Sequence, residues 1–325
     1  MTVDPGTGKG DIPPPVEVRG LVKRYGDLTA VAGVDLTVNV GDVYGYLGPN
    51  GAGKTTSLRM MLGLIRPTAG SARLFGRDPM QSVHALDGVA GFVEAPTFYP
   101  YLSGRRNLEL LAAFDGHGAA RRIDQALDTV ELSDRARDRV GGYSHGMRQR
   151  LGIAASLLRD PRLLLLDEPT TGLDPAGMRD MRELVKRLAG EGITVLLSSH
   201  LLSEVEELCN RVAIIRSGRI VFQGPLADLM ATASTGYRLQ TTDHERARAV
   251  CTVQPGLRDV GAEDGVIRFA ADEGAVAALT IALGEAGVGI TALIPEGASL
   301  EELFLGLTEG DRGAEESTAL EQTAA

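Results

Sequence analysis

The sequence predicts an α/β protein: a large domain built on a parallel sheet with a helical insertion, followed by a small α+β domain. Three observations carry this prediction. Strand-like and helix-like segments alternate from Val16 onward, and a glycine-rich turn at 48–55 stands between a strand and a helix. The run LLLLD at 163–167 is apolar without interruption, as in a strand buried on both faces of a parallel sheet.

The first fifteen residues, MTVDPGTGKGDIPPP, are rich in Gly and Pro and read as a loose arm. From Val16 the segments VEVRGLVKRY, VDLTVNV and VYGYLG carry β-branched residues between Gly and Asp breakers and read as strands. Thr55 to Leu64 has helical spacing, as do NLELLAAF, RIDQALDTV and MRQRLGIAASLL within residues 103–160. After LLLLD come a helix from Met178 to Leu188, the strand ITVLLSS, the helix LLSEVEELC and the strands VAIIR and RIVFQG. Composition shifts at ADLMATASTG, and the chain beyond it reads β-α-β-β-α-β: strands at 237–239, 257–261, 266–269 and 289–293, helices at 243–250 and 273–285. That order is the split arrangement of ferredoxin-like domains. A helix at SLEELFLGL and a disordered acidic tail complete the chain, giving an arm at 1–15, a large domain at 16–232 with its helical part at about 95–160, a small domain at 233–307 and a tail at 308–325.

Composition narrows the function. Acidic residues outnumber basic ones 43 to 33 for a net charge of -10, so a broad positive footprint for a phosphate backbone is missing and nucleic-acid binding is disfavoured. The two cysteines, Cys209 and Cys251, have neither disulfide nor metal spacing, which fits a reducing cytosol. The N-terminus has no apolar core of a secretion signal, and no stretch approaches the ~18 apolar residues of a membrane span.

Two motifs point to chemistry. GPNGAGKT at 48–55 matches G-x-x-x-x-G-K-[ST] in the required strand–turn–helix context. Gly48, Gly51 and Gly53 let backbone N–H groups point at an anion, the helix start adds partial positive charge, and the whole run Gly48, Pro49, Asn50, Gly51, Ala52, Gly53, Lys54, Thr55 and Thr56 suits nucleotide phosphates. Lys54 would reach the β- and γ-phosphates and the Thr55 hydroxyl would coordinate Mg²⁺. Asp167 and Glu168 end the LLLLD strand, at the edge where α/β sheets bind ligands. Alone, DEP could be a strand-ending turn; beside the phosphate loop it assigns Asp167 to Mg²⁺ and Glu168 to polarising the attacking water.

Through these motifs the chain resembles the nucleotide-binding subunit of an ABC transporter, a P-loop NTPase fold with an antiparallel β subdomain and a helical subdomain. YSHGMRQR at 143–150 resembles the Leu-Ser-Gly-Gly-Gln signature, keeping Ser144 and Gly146 and departing at Tyr143, His145 and Met147. The resemblance implies that this helix start caps the γ-phosphate of ATP bound by another protomer, so that hydrolysis needs a homodimer; an ordinary Ser N-cap is compatible with the same role. TGLDP at 171–175 matches the D-loop, with Asp174 at the dimer interface, and SSH at 198–200 puts His200 at the position of the switch histidine. Tyr25, in KRYGD, falls where the family stacks adenine, although an aromatic at a strand end is otherwise commonly core.

GFVEAPTFYPYL carries Glu94 where the family usually has a Gln facing Mg²⁺ and the attacking water, before a segment touching the membrane subunit. The plain alternative is a carboxylate solvating a turn. In the family role, Glu94 exchanges an amide for an acceptor-only anion, and this variant resembles the bacitracin and lantibiotic self-protection exporters. SLEELFLGLT resembles the ending of daunorubicin-resistance-type ATPases. The resemblance therefore implies an ATP- and Mg²⁺-dependent ATPase at the cytoplasmic face of the plasma membrane, driving a separate permease that exports an antibiotic, peptide, lipid or drug. The competing classes are a soluble ABC protein acting on nucleic acid or ribosomes, disfavoured by a single cassette and acidic charge, and an ATPase regulated by a ligand-sensing C-terminal domain.

Overall fold

The computed structural model describes residues 13–115, 118–231, 236–263, 265–271, 273–296, 300 and 303–304. Backbone contacts divide the chain into two units, Met1–Leu226 and Ala227–Ala325.

The first unit has two sheets. In chain order its elements are β1 (Val16–Tyr25), β2 (Leu28–Val38), β3 (Val43–Leu47), α1 (Lys54–Met61), β4 (Ala69–Leu74), β5 (Val89–Phe92), α2 (Gly104–Asp115), α3 (Ile123–Thr129), α4 (His145–Leu157), β6 (Leu163–Asp167), α5 (Pro175–Gly190), β7 (Thr194–Ser199), α6 (Leu202–Leu208), β8 (Arg211–Arg216) and β9 (Arg219–Pro225). Strands β2-β1-β4 form an antiparallel sheet, and β5-β6-β7-β3-β8-β9 a six-stranded one that is parallel except for the β8–β9 hairpin. All five residues of β6 are buried, as a strand covered on both faces requires, whereas β2 alternates, burying Val34, Leu36 and Val38 and exposing the residues between. One core joins the sheets: Val18 and Leu36 from the antiparallel sheet, Leu58 and Met61 from α1, and Leu165 and Leu196 from the parallel sheet belong to a single buried cluster. That cluster fixes α1, and hence the loop before it, relative to β3. Helices α2, α3 and α4 occupy the chain between β5 and β6, as the helical insertion predicts.

The second unit follows α7 (Leu226–Ala231) and runs β10 (Gly236–Thr241), α8 (His244–Val253), β11 (Leu257–Glu263), β12 (Val266–Ala271), α9 (Glu273–Glu285) and β13 (Ile290–Glu296). Its sheet order, β11-β12-β10-β13 and antiparallel throughout, is that of a ferredoxin-like domain. Leu239, Ile267, Phe269, Leu279 and Leu283 make a core of its own. Asp243 caps α8, accepting a hydrogen bond from the Arg246 N–H at 3.1 Å. Cys251 is buried and its thiol is pushed up to about 11 by burial; Cys209 is buried too, with its thiol also pushed up, so both are inert hydrophobes rather than reactive groups.

Differences from the sequence reading include β2, β4 and α5. Strand β2 begins at Leu28 rather than Val34, because pairing with β1 continues to the Tyr25–Leu28 pair. Strand β4 was not expected: AGSARL buries only Ala72 and Leu74, so its strand character comes from pairing with β1 rather than from β-branched residues. Helix α5 starts at Pro175, not Met178, since Pro occupies the first turn and the Asp174 carboxylate caps the Gly177 N–H at 3.1 Å. Of the helix expected at SLEELFLGL, Leu300, Leu303 and Phe304 are helical and the rest lies outside the described residues, as do residues 1–12 of the arm and the whole tail at 308–325. Among the described residues no helix is long and apolar enough to cross a membrane.

Leu165 is fully buried at the centre of β6, in the core shared by both sheets. Leu165→Ala is expected to destabilise the first unit by ~2–5 kcal/mol, read as a lower urea midpoint with unchanged slope. A loss below ~1 kcal/mol would place Leu165 outside the core that fixes α1.

Candidate nucleotide-binding site

The parallel strands β3, β6 and β7 release the chain on the same edge of the sheet, and the glycine-loop candidates gather there with Glu168 and His200. The loop after β3 is shaped by backbone approach. A Cβ on Gly48 would come within 2.4 Å of the Ile215 carbonyl oxygen, and one on Gly53, at φ 105°, within 2.5 Å of the Ala30 carbonyl oxygen. Only glycine fits at either position. Gly53 is also the cap residue of α1 and offers no side chain to its first N–H groups, so these donors remain for an external acceptor.

Lys54 is 6% exposed, with its ammonium donating to the Gly48 carbonyl at 2.7 Å and to the Pro49 carbonyl at 3.3 Å. The same ammonium pairs with Glu168 Oε1 at 3.2 Å. A cavity of ≈ 320 Å³ opens beside them, lined by Pro49, Asn50, Gly51, Gly53, Lys54, Thr55 and Thr56 of the loop together with Ala30, Glu168, Thr171 and His200. Ala52 is buried behind the loop, its N–H donating to the Pro49 carbonyl at 3.1 Å.

The two carboxylates at the end of β6 and just beyond it, Asp167 and Glu168, are held by one hydroxyl. Ser198, fully buried on β7, donates from Oγ to Asp167 Oδ1 at 2.5 Å and accepts from the Glu168 N–H at 3.0 Å. Asp167 is 5% exposed. Glu168 has φ 48°, a left-handed backbone that a residue with a Cβ adopts at a cost of ~1–3 kcal/mol, stored here at the site. Its Oε2 receives His200 Nδ1 at 2.6 Å and the Thr171 hydroxyl at 3.1 Å. Because a carboxylate only accepts, Nδ1 of His200 carries the proton in this contact. Burial alone would raise the Glu168 carboxyl, but the Lys54 ammonium and the His200 hydrogen bond outweigh it and hold the group below the ordinary carboxylate range. It is therefore an anion at neutral pH, able to accept from water.

This donor set fits a nucleoside triphosphate: glycine backbone, uncapped helix N–H groups, a buried ammonium and a histidine line one cavity. It also fits Mg²⁺ in the manner that ion prefers. Among the described residues no three His, Cys, Asp or Glu side chains converge as a protein cage; Thr55 lines the cavity and Asp167 directly precedes its lining residue Glu168, so that phosphate oxygens and water would supply the remaining ligands of an ion held there.

Ser144, Gly146 and Asp174 lie on a different surface. They line a second cavity of ≈ 330 Å³ with His145, Gly172 and Leu173. Ser144 caps α4, its Oγ accepting from the Met147 N–H at 3.2 Å. The structure brings neither Tyr25 nor Glu94 to the phosphate cavity. Tyr25 ends β1 at 48% exposure, with Lys23 Nζ 5.0 Å from the centre of its ring. Glu94 follows β5 with a left-handed backbone, φ 71°, and its side chain is 66% exposed and ion-paired with Arg59 on α1. Arg59 neutralises the carboxylate that sequence reasoning directs toward Mg²⁺ and the attacking water.

Sequence reasoning missed Ser198, Thr171 and Ala30. A hydroxyl inside the apolar strand TVLLSS was the available signal for Ser198. Ala30 carries none, since it reaches the cavity only through the packing of β2 against the loop.

The ABC transporter family model matches residues 31–171. The bacitracin transport ATP-binding protein BcrA of Bacillus licheniformis is 38% identical over 298 residues, covering 91% of this chain and 97% of that protein. The daunorubicin resistance ATP-binding protein DrrA3 of Streptomyces coeruleorubidus is 37% identical over 311 residues, covering 93% and 98%. A solved ATP-binding subunit of an ABC transporter superposes with a TM-score of 0.60 at 28% identity, covering 67% of this chain and 92% of that one.

The depressed Glu168 carboxyl has a consequence for pH. A group whose folded-state pKa lies below its unfolded value contributes stability that is present above the unfolded value and lost as pH falls through the folded one. Wild type should therefore exceed Glu168→Gln in unfolding free energy at neutral pH, and the gap should close on acidification through the carboxylate range. A pH-independent gap in urea titrations would contradict this charge arrangement.

Proposed function

The chain belongs to the ATP-binding proteins of ABC transporters, and on that premise we propose that it is the ATP-hydrolysing subunit of an exporter, working as a homodimer on a separate membrane permease from the cytoplasmic face of the plasma membrane. The observation that carries this reading is the cavity in which Lys54, Glu168 and His200 meet the glycine loop. The run from Gly48 to Thr56 cradles the phosphates, with Lys54 moving from Glu168 to the β- and γ-phosphates as they enter. Mg²⁺, held by Thr55 and Asp167, would neutralise charge on the β- and γ-oxygens. Released from Lys54, Glu168 accepts a hydrogen bond from the attacking water, and His200 fixes the carboxylate and reaches the γ-phosphate.

Ser144 and Gly146 open α4 on a surface apart from their own chain's phosphate cavity, which suits them to cap the γ-phosphate held by a second copy. Asp174 shares that surface and would sit at the dimer interface. Tyr25, exposed at the end of β1, is available for adenine stacking. Closure of two copies on ATP and release after hydrolysis would supply the two-state motion that drives the permease.

Glu94 has a path to that permease. Its partner Arg59 lies on α1, the helix that begins at Lys54, and the chain after Glu94 carries Tyr99 and Tyr101, both exposed and in ring contact. Phe114, 91% exposed on α2, joins Thr97, Phe98, Tyr99 and Leu111 around an apolar recess suited to a permease segment. Glu94 thus links α1 to the segment Pro96 to Leu102. The cargo class in this reading, an antibiotic, peptide, lipid or drug, is supported on its antibiotic and drug side by relatives named for bacitracin transport and for daunorubicin resistance.

Glu168→Gln should bind ATP yet hydrolyse it ~10²–10⁴-fold more slowly, accumulating an ATP-bound dimer in size-exclusion chromatography. Full turnover by this variant would remove Glu168 from the mechanism. Glu94→Gln should lower permease-stimulated ATPase more than the basal rate; no change in either would reject its coupling role.

A further inference from the structure

We propose that His145 is a positioning residue that ties the helix start offered to a second copy to the hydrolytic carboxylate of its own chain. The inference rests on the ATPase reading above and deepens it. His145 stands at a position where the sequence departs from the glycine of the ABC signature, and glycine has no side chain with which to make the contact found here. Its Nε2 lies 3.0 Å from the Thr171 carbonyl oxygen, a pure acceptor, so Nε2 donates.

Thr171 is the junction between the two cavities. Its hydroxyl donates to Glu168 Oε2 at 3.1 Å and its N–H to the Glu168 carbonyl at 3.1 Å, closing a turn over residues 168–171. Thr171 lines the phosphate cavity, while Gly172, the next residue, lines the cavity of Ser144 and Gly146. A continuous path therefore runs from the first residue of α4 through the Thr171 peptide and hydroxyl to the oxygen of Glu168 that also holds His200. When a second copy presses its nucleotide against Ser144 and Gly146, the shift of α4 reaches Thr171 through His145 and sets the position of Glu168 Oε2. Each composite site then reports its occupancy to the other.

Neither fold nor nucleotide binding depends on this bond. Ser144 caps α4 without it, and Lys54 holds Glu168 from the opposite side. Loss of the donor should lower turnover and spare ATP affinity. The glutamine amide places a donor at the same number of bonds from the backbone as Nε2, so it should restore the contact.

The test is steady-state ATP hydrolysis by the purified full-length chain, with turnover and KM for ATP compared among wild type, His145→Ala, His145→Gly and His145→Gln. Loss of one neutral hydrogen bond predicts a kcat about three- to tenfold lower for Ala and Gly, with KM within about twofold and Gln within about twofold of wild type. In a Glu168→Gln background, His145→Ala should still give the ATP-trapped dimer. Wild-type turnover in His145→Ala, or Gln as slow as Ala, would overturn the proposal. So would loss of the trapped dimer, which would place His145 in nucleotide capping itself while leaving the ATPase reading standing. Absence of ATP hydrolysis by wild type would instead bring down that reading.

Discussion

The ammonium of Lys54 and the carboxylate of Glu168 face each other at 3.2 Å at the C-terminal edge of the parallel sheet, and the fold of the first unit is arranged around that pair. Burying an ammonium is costly unless it is paired and hydrogen-bonded, and Lys54 is both, through Glu168 and the carbonyls of Gly48 and Pro49. The pairing demands that β3 and β6 flank β7, so that the loop after β3, the turn after β6 and His200 after β7 surround one space. It also demands that α1 be held between the two sheets by the shared core. A phosphate entering the cavity competes with Glu168 for the same ammonium. Under the proposed function, binding of the anion and release of the carboxylate would be one event.

The site is split by the course of the backbone. Ser198 fixes Asp167 and Glu168 with a single buried hydroxyl, and the turn from Glu168 to Thr171 carries the chain from the phosphate cavity to the surface of Ser144, Gly146 and Asp174. These two surfaces of one chain are separate cavities, and under the proposed function chemistry that needs both would draw the second from another copy. Glu94 belongs to a third arrangement, where Arg59 connects α1 to the exposed aromatic segment beyond β5.

Much of this was legible in the sequence because the pieces are local. The phosphate loop, the DEP carboxylates and SSH are each short runs attached to an apolar strand, so a strand end plus a few residues locates them. The order of the second unit was legible too, since its strands and helices alternate between clear breaks. What escaped is what depends on distant partners. Strand β4 is a strand because β1 pairs with it. Ala30 enters the cavity from β2, and the Glu94 carboxylate turns to Arg59, 35 residues earlier, for which no spacing rule exists. Tyr25 shows the same limit, since it ends β1 opposite Leu28 and is 48% exposed, a placement set by strand pairing rather than by its neighbours in sequence.

If the exchange of Lys54 from Glu168 to phosphate is the central event, calorimetric titration of the full-length chain with ATP and Mg²⁺ measures it most directly when wild type is set beside Lys54→Ala. A charge-assisted contact to phosphate is worth about 1.5–3 kcal/mol, so the account predicts saturable ATP binding by wild type and affinity weakened roughly 10- to 100-fold in the variant. Equal affinity in the two proteins would contradict it.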